Sequence, residues 1–277
     1  MASSTPDALW SSRAVRLLRP AAVACQGVRR RVGRSRLLDG VDLQVAVGAR
    51  LLLVSEPETA GSLLLRVLAG LSRADGGSFR IAGGTGPDGS ATGWGRRMAY
   101  VGPETGLYSW MSAAETLAIS ARLLGLDPEV GRRRIDEATA RWGLSQGLDR
   151  PMRRNGLAYL QRAAIAAALV ADPEVVLLDE PLRAVDPDER VHLLRLPGQR
   201  CTLILSSRYP ASESGAVNQI ALLRDGRVAM HAPLSALTEH GLPLSHKGIG
   251  RLAEIALDRR SRATDRSADA GASRASA

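Results

Sequence analysis

The sequence predicts an α/β protein, and three features support this. Residues 175–178 form an apolar, β-prone run between Asp172-Pro173 and Pro181, which is typical of a strand buried on both faces. Runs of the same kind occupy residues 51–54, 98–101 and 202–206. Segments with helical patterning lie between these runs, as expected for a sheet covered by helices.

Composition restricts the class of protein. The 277 residues suffice for one large domain or two unequal ones, and the net charge of +9 comes from arginine, since Lys247 is the only lysine. Two cysteines are too few for a disulfide framework, which makes a reducing compartment the default expectation. No apolar run reaches the roughly 18 residues that a bilayer-spanning helix needs. We therefore expect a soluble protein able to dock on a membrane protein or an anionic surface.

The amino-terminal third is predicted to be rich in strands. Residues 1–20 are weakly patterned and suggest a flexible arm. Asp39-Gly40 predicts a tight turn, and residues 41–45 alternate as a half-buried strand does. Residues 62–71 are typical of a buried helix.

The rest of the chain alternates helices with the short strands at 98–101, 175–178 and 202–206. Ser112 and Glu115 form a capping box that opens a helix ending near Leu124. An amphipathic helix is predicted at 129–142, and an alanine-rich helix at 163–171 precedes the strand at 175–178. From residue 258 onward the low hydrophobicity predicts a disordered tail.

Two carboxylates follow the buried strand directly. Asp179 and Glu180 come at its carboxyl end, the edge at which ligands bind in open α/β sheets. Paired acids at that edge can hold Mg²⁺ and activate a water molecule. The alternative is an ordinary buried strand that ends in a polar turn.

The order of these segments resembles an ATP-binding cassette, the nucleotide-binding subunit of ABC transporters. The likeness runs from about Leu37 to Leu237 and includes the strand before Asp179 and the Asp186-Pro187 pair after it. It implies a P-loop NTPase-like α/β cassette over residues 21–257, with a mixed sheet core, antiparallel amino-terminal strands and a small helical subdomain at about 104–160. It also implies two partners, a transmembrane transporter subunit and a second cassette, and a cytoplasmic position at the inner face of the cell membrane.

The resemblance assigns roles to several residues. Glu180 matches the catalytic Walker B glutamate, while Asp179 and Ser62 match the ligands of Mg²⁺. Asp186 matches the D-loop. Arg208 stands at the position of the switch histidine, where it can pair with a phosphate or, as we favour, with Glu180.

The phosphate loop departs from the family pattern. The family has Gly-x-x-Gly-x-Gly-Lys-Ser/Thr, and residues 55–62 read Ser-Glu-Pro-Glu-Thr-Ala-Gly-Ser, so that only Ser62 matches. Ser55, Glu58 and Ala60 replace the three glycines, and Gly61 replaces the lysine that neutralises the phosphates. The adenine-stacking aromatic is also missing, since Val32 lies near its expected position.

The signature motif is altered as well. Residues 155–159 read Asn-Gly-Leu-Ala-Tyr where the family has Leu-Ser-Gly-Gly-Gln, so that no position matches and Gly156 stands at the position of the serine. Leu157 and Tyr159 are expected to place bulk where the backbone must approach a phosphate closely. Gln161 and Arg162 are kept, and we expect them on the helix surface.

Three hypotheses remain open. The first is a degenerate cassette with a structural or regulatory role, in which binding of ATP and Mg²⁺ is weak or absent. The second is a slow ATPase acting through Asp179 and Glu180. The third is a basic interaction protein outside transport; its arginine runs lack interleaved aromatic residues, which argues against nucleic-acid binding. Residues 104–111 hold several apolar side chains and are the predicted contact with the membrane subunit.

Overall fold

The computed structural model describes residues 20–85, 97–195 and 201–258. The predicted arm (1–20) and tail (258–277) lie outside these ranges, apart from Pro20 and Asp258. The strands are β1 (Ala21–Val32), β2 (Ser35–Ala46), β3 (Arg50–Glu56), β4 (Gly76–Ile81), β5 (Gly84–Thr85), β6 (Met98–Val101), β7 (Val175–Asp179), β8 (Thr202–Ser206), β9 (Gln219–Arg224) and β10 (Arg227–Pro233). The helices are α1 (Glu58–Leu68), α2 (Ala113–Leu123), α3 (Pro128–Arg141), α4 (Leu157–Leu169), α5 (Pro187–Arg195), α6 (Ser235–Glu239) and α7 (residues 246–258).

The six-stranded sheet has the order β10-β9-β3-β8-β7-β6 and is parallel except for the edge strand β10. Successive side chains of β3 enter different cores, since Leu51 and Leu53 belong to one buried cluster and Leu52 and Val54 to the other. All four are essentially inaccessible to solvent. Burial of each such side chain stabilises the fold by about 1.5–3 kcal/mol. This two-sided burial explains why the β-prone runs are continuous rather than alternating.

The second sheet is antiparallel and has the order β2-β1-β4-β5. Its buried residues join α1 in the cluster that contains Leu51 and Leu53. With the six-stranded sheet it confirms the predicted α/β class with antiparallel amino-terminal strands.

The tight turn predicted at Asp39-Gly40 is wrong. The chain reverses between β1 and β2 at Gly33, where φ is +58°, and β2 continues through Asp39 and Gly40. Val28 pairs with Val41 and Arg29 with Asp39, so Gly40 is an extra residue in the ladder with φ of +95°. The glycine serves a β-bulge, a conformation that requires the same positive φ as a turn.

The helices α2 and α3 lie between β6 and β7 in the chain. At the start of α2 both halves of the predicted capping box are present: Glu115 N donates to Ser112 Oγ at 3.2 Å, and Ser112 N donates to the Glu115 carboxylate at 2.8 Å. Across the described ranges, none of the helices combines the length and apolar character required to cross a bilayer.

Candidate functional site

The carboxyl end of β7 places two carboxylates beside the start of α1. Asp179 is buried with 1% of its surface exposed, and its Oδ1 accepts a hydrogen bond from Ser62 Oγ at 2.8 Å. Its Oδ2 accepts a longer one from the Tyr100 hydroxyl at 3.4 Å. A hydroxyl and a carboxylate this close are donors of the kind that Mg²⁺ prefers. Ser62 and Asp179 therefore suit the metal role that the sequence predicted for them.

Burial controls the ionisation of this group. It raises the pKa of Asp179, and the opposing effects of the bonds from Ser62 and Tyr100 and of the nearby arginines 66 and 208 are smaller. It also raises the pKa of Glu180, against the effect of Arg208. The pKa of Tyr100 rises to about 12, first through burial and then through the charge of Asp179. Tyr100 is thus held as a neutral donor.

The phosphate-loop segment forms a short connection instead of an open loop. Strand β3 ends at Glu56 and α1 begins at Glu58, four residues before the predicted start of the helix. Ser55 Oγ accepts from Gly61 N at 2.9 Å and donates to Glu58 O at 2.9 Å. Ala60 N donates to Pro57 O at 3.0 Å. Two backbone amides of this segment are therefore already bonded within the protein.

Arg208 connects the beginning of α1 with the end of β7. Its Nε lies 3.2 Å from a Glu58 carboxylate oxygen and 3.5 Å from one of Glu180. Its backbone N–H donates to the same Glu180 oxygen at 3.0 Å. The favoured pairing of Arg208 with Glu180 is therefore present, and Glu58 joins it.

The signature segment lies at the start of α4. Gly156 is the residue before the first turn and, because glycine has no side chain, the helix start has no side-chain cap. Leu157 is 48% exposed, which agrees with the prediction that its side chain lies where a phosphate would approach the backbone. Tyr159 points into the core and donates from its hydroxyl to Leu144 O at 3.0 Å. The prediction that Tyr159 places bulk where the backbone must approach a phosphate is therefore wrong, because its ring is buried in the core.

Gln161 and Asp186 hold the segment between β7 and α5. Gln161 was expected on the helix surface, yet only 5% of it is exposed, and its Oε1 accepts from Ala184 N at 2.9 Å. Asp186 accepts from Asp188 N at 3.0 Å and caps α5. Arg162 pairs with Glu189 at 2.7 Å. These bonds give structural roles to three residues that the family pattern retains.

The structure brings most of the predicted site residues together. The cluster contains Ser55, Glu58, Gly61, Ser62, Asp179, Glu180 and Arg208. The described contacts of Asp186 and Gly156 are with their own helices. Sequence reasoning missed Tyr100, although a tyrosine in the otherwise apolar strand 98–101 is a signal that could have identified it.

The predicted partner-contact segment is partly exposed. Tyr108 and Trp110 are 60% and 64% exposed, and their ring centroids lie 4.9 Å apart. Leu107 packs against the main core cluster instead. The two aromatic side chains therefore do not serve to cover the following helix.

Comparison with known proteins identifies the family. The family model described as ABC transporter matches residues 38–183, more than half of the chain. The chain belongs to the ABC transporter family. The match spans the phosphate-loop segment, the altered signature and the strand that ends at Asp179.

Curated relatives of this ABC protein are ATP-binding proteins of transport systems. The aliphatic sulfonates import ATP-binding protein SsuB of Ralstonia nicotianae is 33% identical over 73% of this chain and 69% of its own. The diacetylchitobiose uptake protein MsiK of Streptomyces coelicolor is 31% identical over 68% of this chain, which spans only 51% of that relative. These likenesses establish an ATP-binding subunit of an ABC transporter at the level of the family.

Solved structures support the fold. An ATP-binding subunit of an ABC transporter has a TM-score of 0.72 at 21% identity, covering 85% of this chain and 99% of its own. An ATP-binding cassette solved as a dimer in a post-hydrolysis state with ADP and Pi has a TM-score of 0.67 at 19% identity, covering 76% and 98%. Both likenesses, at less than 25% identity, support the predicted cassette fold.

Proposed function

We propose that this ABC transporter subunit does not turn over ATP and acts as a structural or regulatory half of the transporter. The observation that carries the proposal is the ionic bridge from Glu58 through Arg208 to Glu180 across the closed phosphate loop. The bridge lies where the family pattern expects the phosphates. The chain pairs with itself or with an active paralogue.

The residues around the bridge fit a triphosphate poorly. A lysine is missing, and loss of a charge-assisted contact costs about 1.5–3 kcal/mol. A carboxylate about 6 Å from a phosphate adds roughly 3 kcal/mol of repulsion per phosphate charge at an effective dielectric near 20. Phosphoryl transfer relies on positioning and charge neutralisation, so Asp179 and Glu180 cannot act on a phosphate that is not held. Ser62 and Asp179 suit Mg²⁺ but do not replace the loop.

The test is a comparison of the ATPase rate of the purified chain with that of Glu180→Gln. We expect equal, background rates with and without Mg²⁺. A Mg²⁺-dependent rate that Glu180→Gln abolishes would contradict the proposal and establish the second hypothesis, a slow ATPase. ATP binding is measured in parallel by titration calorimetry. This measurement distinguishes a chain that does not bind ATP from one that binds ATP but does not hydrolyse it.

We propose that the membrane subunit binds at residues 104–111, at the edge of a helical subdomain that spans about residues 104–160. A chain bound in this way lies at the inner face of the membrane as a peripheral subunit. Exposed Tyr108 and Trp110 are aromatic anchors of the type that dominate interfaces. We expect Trp110→Ala to reduce co-purification of a membrane protein without lowering stability. Leu123→Ala is the matched control, because Leu123 is also apolar and is 82% exposed. Equal recovery with Trp110→Ala and with the unmodified chain would contradict this contact.

A further inference from the structure

The tip of the β1–β2 hairpin concentrates positive charge. Residues 29–36 read Arg-Arg-Arg-Val-Gly-Arg-Ser-Arg, with five arginines and no acidic residue. All of these residues are exposed except the half-buried Arg30. We call this segment the arginine tip.

Neighbouring carboxylates neutralise the arginine tip only in part. Arg30 pairs with Asp75 at 2.6 Å, and Arg36 lies 3.6 Å from Asp39. Asp39 is shared with an arginine outside the tip, Arg227, at 3.3 Å. Among the residues that the structure describes, the remaining tip arginines have no ion pair; they are Arg29, Arg31 and Arg34.

The strand register sets like charges against each other. Arg31 and Arg36 are direct cross-strand partners in the β1–β2 ladder. Like charges opposite each other in an antiparallel pair destabilise it. An external anionic surface relieves this repulsion, so the arrangement gains stability when the tip is bound.

The one apolar residue of the arginine tip indicates whether the tip suits a nucleic acid or an anionic bilayer. Val32 is 51% exposed at the end of β1, flanked by Arg31 and by the turn at Gly33. Proteins that bind single-stranded nucleic acid stack bases on aromatic rings, and the tip has none. An aliphatic side chain between arginines instead matches the interfacial region of a bilayer with anionic headgroups.

A second arginine run in the same chain has different surroundings. Arg132, Arg133 and Arg134 lie in α3 together with acidic residues. Arg133 and Arg134 both approach Glu137, at 4.0 and 3.8 Å, and Arg134 also pairs with Asp172 at 3.3 Å. Residues 29–31 and 132–134 are both Arg-Arg-Arg, but the acidic residues around the second run offset more of its charge.

We propose that the arginine tip is a docking surface for an anionic lipid bilayer. It would hold the cassette against the membrane through its guanidinium groups, with Val32 entering the interfacial layer. Each arginine near an anionic surface contributes about a fivefold gain in affinity. This interaction needs neither ATP nor a transporter subunit, so it stands or falls independently of the proposed function.

The experiment is co-sedimentation of the full chain with vesicles of phosphatidylcholine, with or without about one third phosphatidylglycerol. We expect binding only to the anionic vesicles, and its loss at about 1 M salt, where the screening length is about 3 Å. Replacing Arg29, Arg31 and Arg34 together by glutamine is expected to lower the partition coefficient about a hundredfold. Replacing the same three by lysine is expected to retain most of the binding, because the charge remains.

The matched control replaces Arg132, Arg133 and Arg134 by glutamine, which changes the net charge by the same amount. Equal losses for the two glutamine variants would show that net charge alone drives binding and would overturn the proposal. Val32→Ser is expected to weaken binding about fivefold while leaving all charges in place. Stronger binding to a single-stranded RNA oligonucleotide than to the anionic vesicles would also overturn the proposal. Melting temperatures of all variants identify any that fail to fold.

Discussion

The carboxyl ends of β3 and β7 lie at the same edge of the sheet, with β8 between them, and they have diverged from the family pattern to different degrees. At the end of β7, Asp179 and Glu180 match the pattern, and Asp179 keeps its bond from Ser62. At the end of β3, glycines are replaced and α1 begins at Glu58. The retained acids have protein partners of their own, because Arg208 binds Glu180 and Tyr100 binds Asp179. Retention of acidic residues is therefore weak evidence for catalysis when side chains of the same chain satisfy them.

Rebuilding the end of β3 gives the largest expected effect. Ser55→Gly, Glu58→Gly, Ala60→Gly and Gly61→Lys together restore the three glycines and the lysine, and remove the Glu58 carboxylate of the bridge. We expect ATP affinity to rise about a thousandfold, because the lysine attracts the phosphates and the carboxylate no longer repels them. The ATP affinity of this variant and of the unmodified chain is measured by titration calorimetry with Mg²⁺-ATP. The control carries Gly61→Met instead of Gly61→Lys, which keeps the side-chain length without the charge, and equal affinities for the two would contradict the charge argument.

The lysine alone is expected to destabilise the fold. A Cβ at position 61 would lie 2.7 Å from Ser55 Oγ and 3.0 Å from Ser206 Oγ. Rotation of Ser55 to relieve the contact breaks its two hydrogen bonds, at a cost of about 1–2 kcal/mol. We therefore expect Gly61→Lys to lower the melting temperature by about 2–8 °C. Adding Ser55→Gly is expected to restore part of the loss, and an unchanged melting temperature for Gly61→Lys would show that the contact is relieved without cost.

A double-mutant cycle measures the bridge between the two strand ends. Arg208→Ala leaves Glu180 facing a carboxylate without its cation, and 13% of the Glu180 side chain is exposed. We expect a loss of about 1 kcal/mol in the free energy of unfolding, with only a small part from the exposed Glu58 pair. In a Glu180→Gln background the loss is expected to shrink. Additive effects in chemical denaturation would show that Arg208 and Glu180 do not interact.

The smallest effect concerns Asp179 and has a defined dependence on pH. Burial raises its pKa, so the folded state binds the proton more tightly than the unfolded state. The protonated Asp179 carboxyl group makes its whole contribution to the free energy of unfolding at pH values below about 3.9, its pKa in the unfolded state. That contribution is lost as the pH rises through the pKa of the folded state. We expect Asp179→Asn to raise the melting temperature at pH 7, with the gain shrinking toward pH 4. The exposed Glu129→Gln serves as the control, and a pH-independent difference for Asp179→Asn would contradict the assignment.

Sequence reasoning succeeded where burial dictates the pattern. The runs at 98–101 and 202–206 match β6 and β8 to the residue, because strands buried on both faces have sharp apolar boundaries. The start of α1 was missed because the family pattern places a loop at 55–61. Pro57 followed by Glu58 is itself a helix-start signal, since proline and an acidic residue suit a first turn. Gln161 was missed because its partner, the Ala184 backbone amide, lies 23 residues away in the chain.

The contact between Gly61 and the two serines also restricts how this chain can change over evolutionary time. A lysine at position 61 meets Ser55 and Ser206 until one of these serines gives way, so the residue most needed for phosphate binding is disfavoured as a first substitution. Replacing Glu58 first leaves Arg208 with Glu180 as its partner and creates no cation to hold a phosphate. The order of substitutions therefore matters, because a lysine at position 61 fits without a close contact only after the hydroxyl group of Ser55 has moved or been removed.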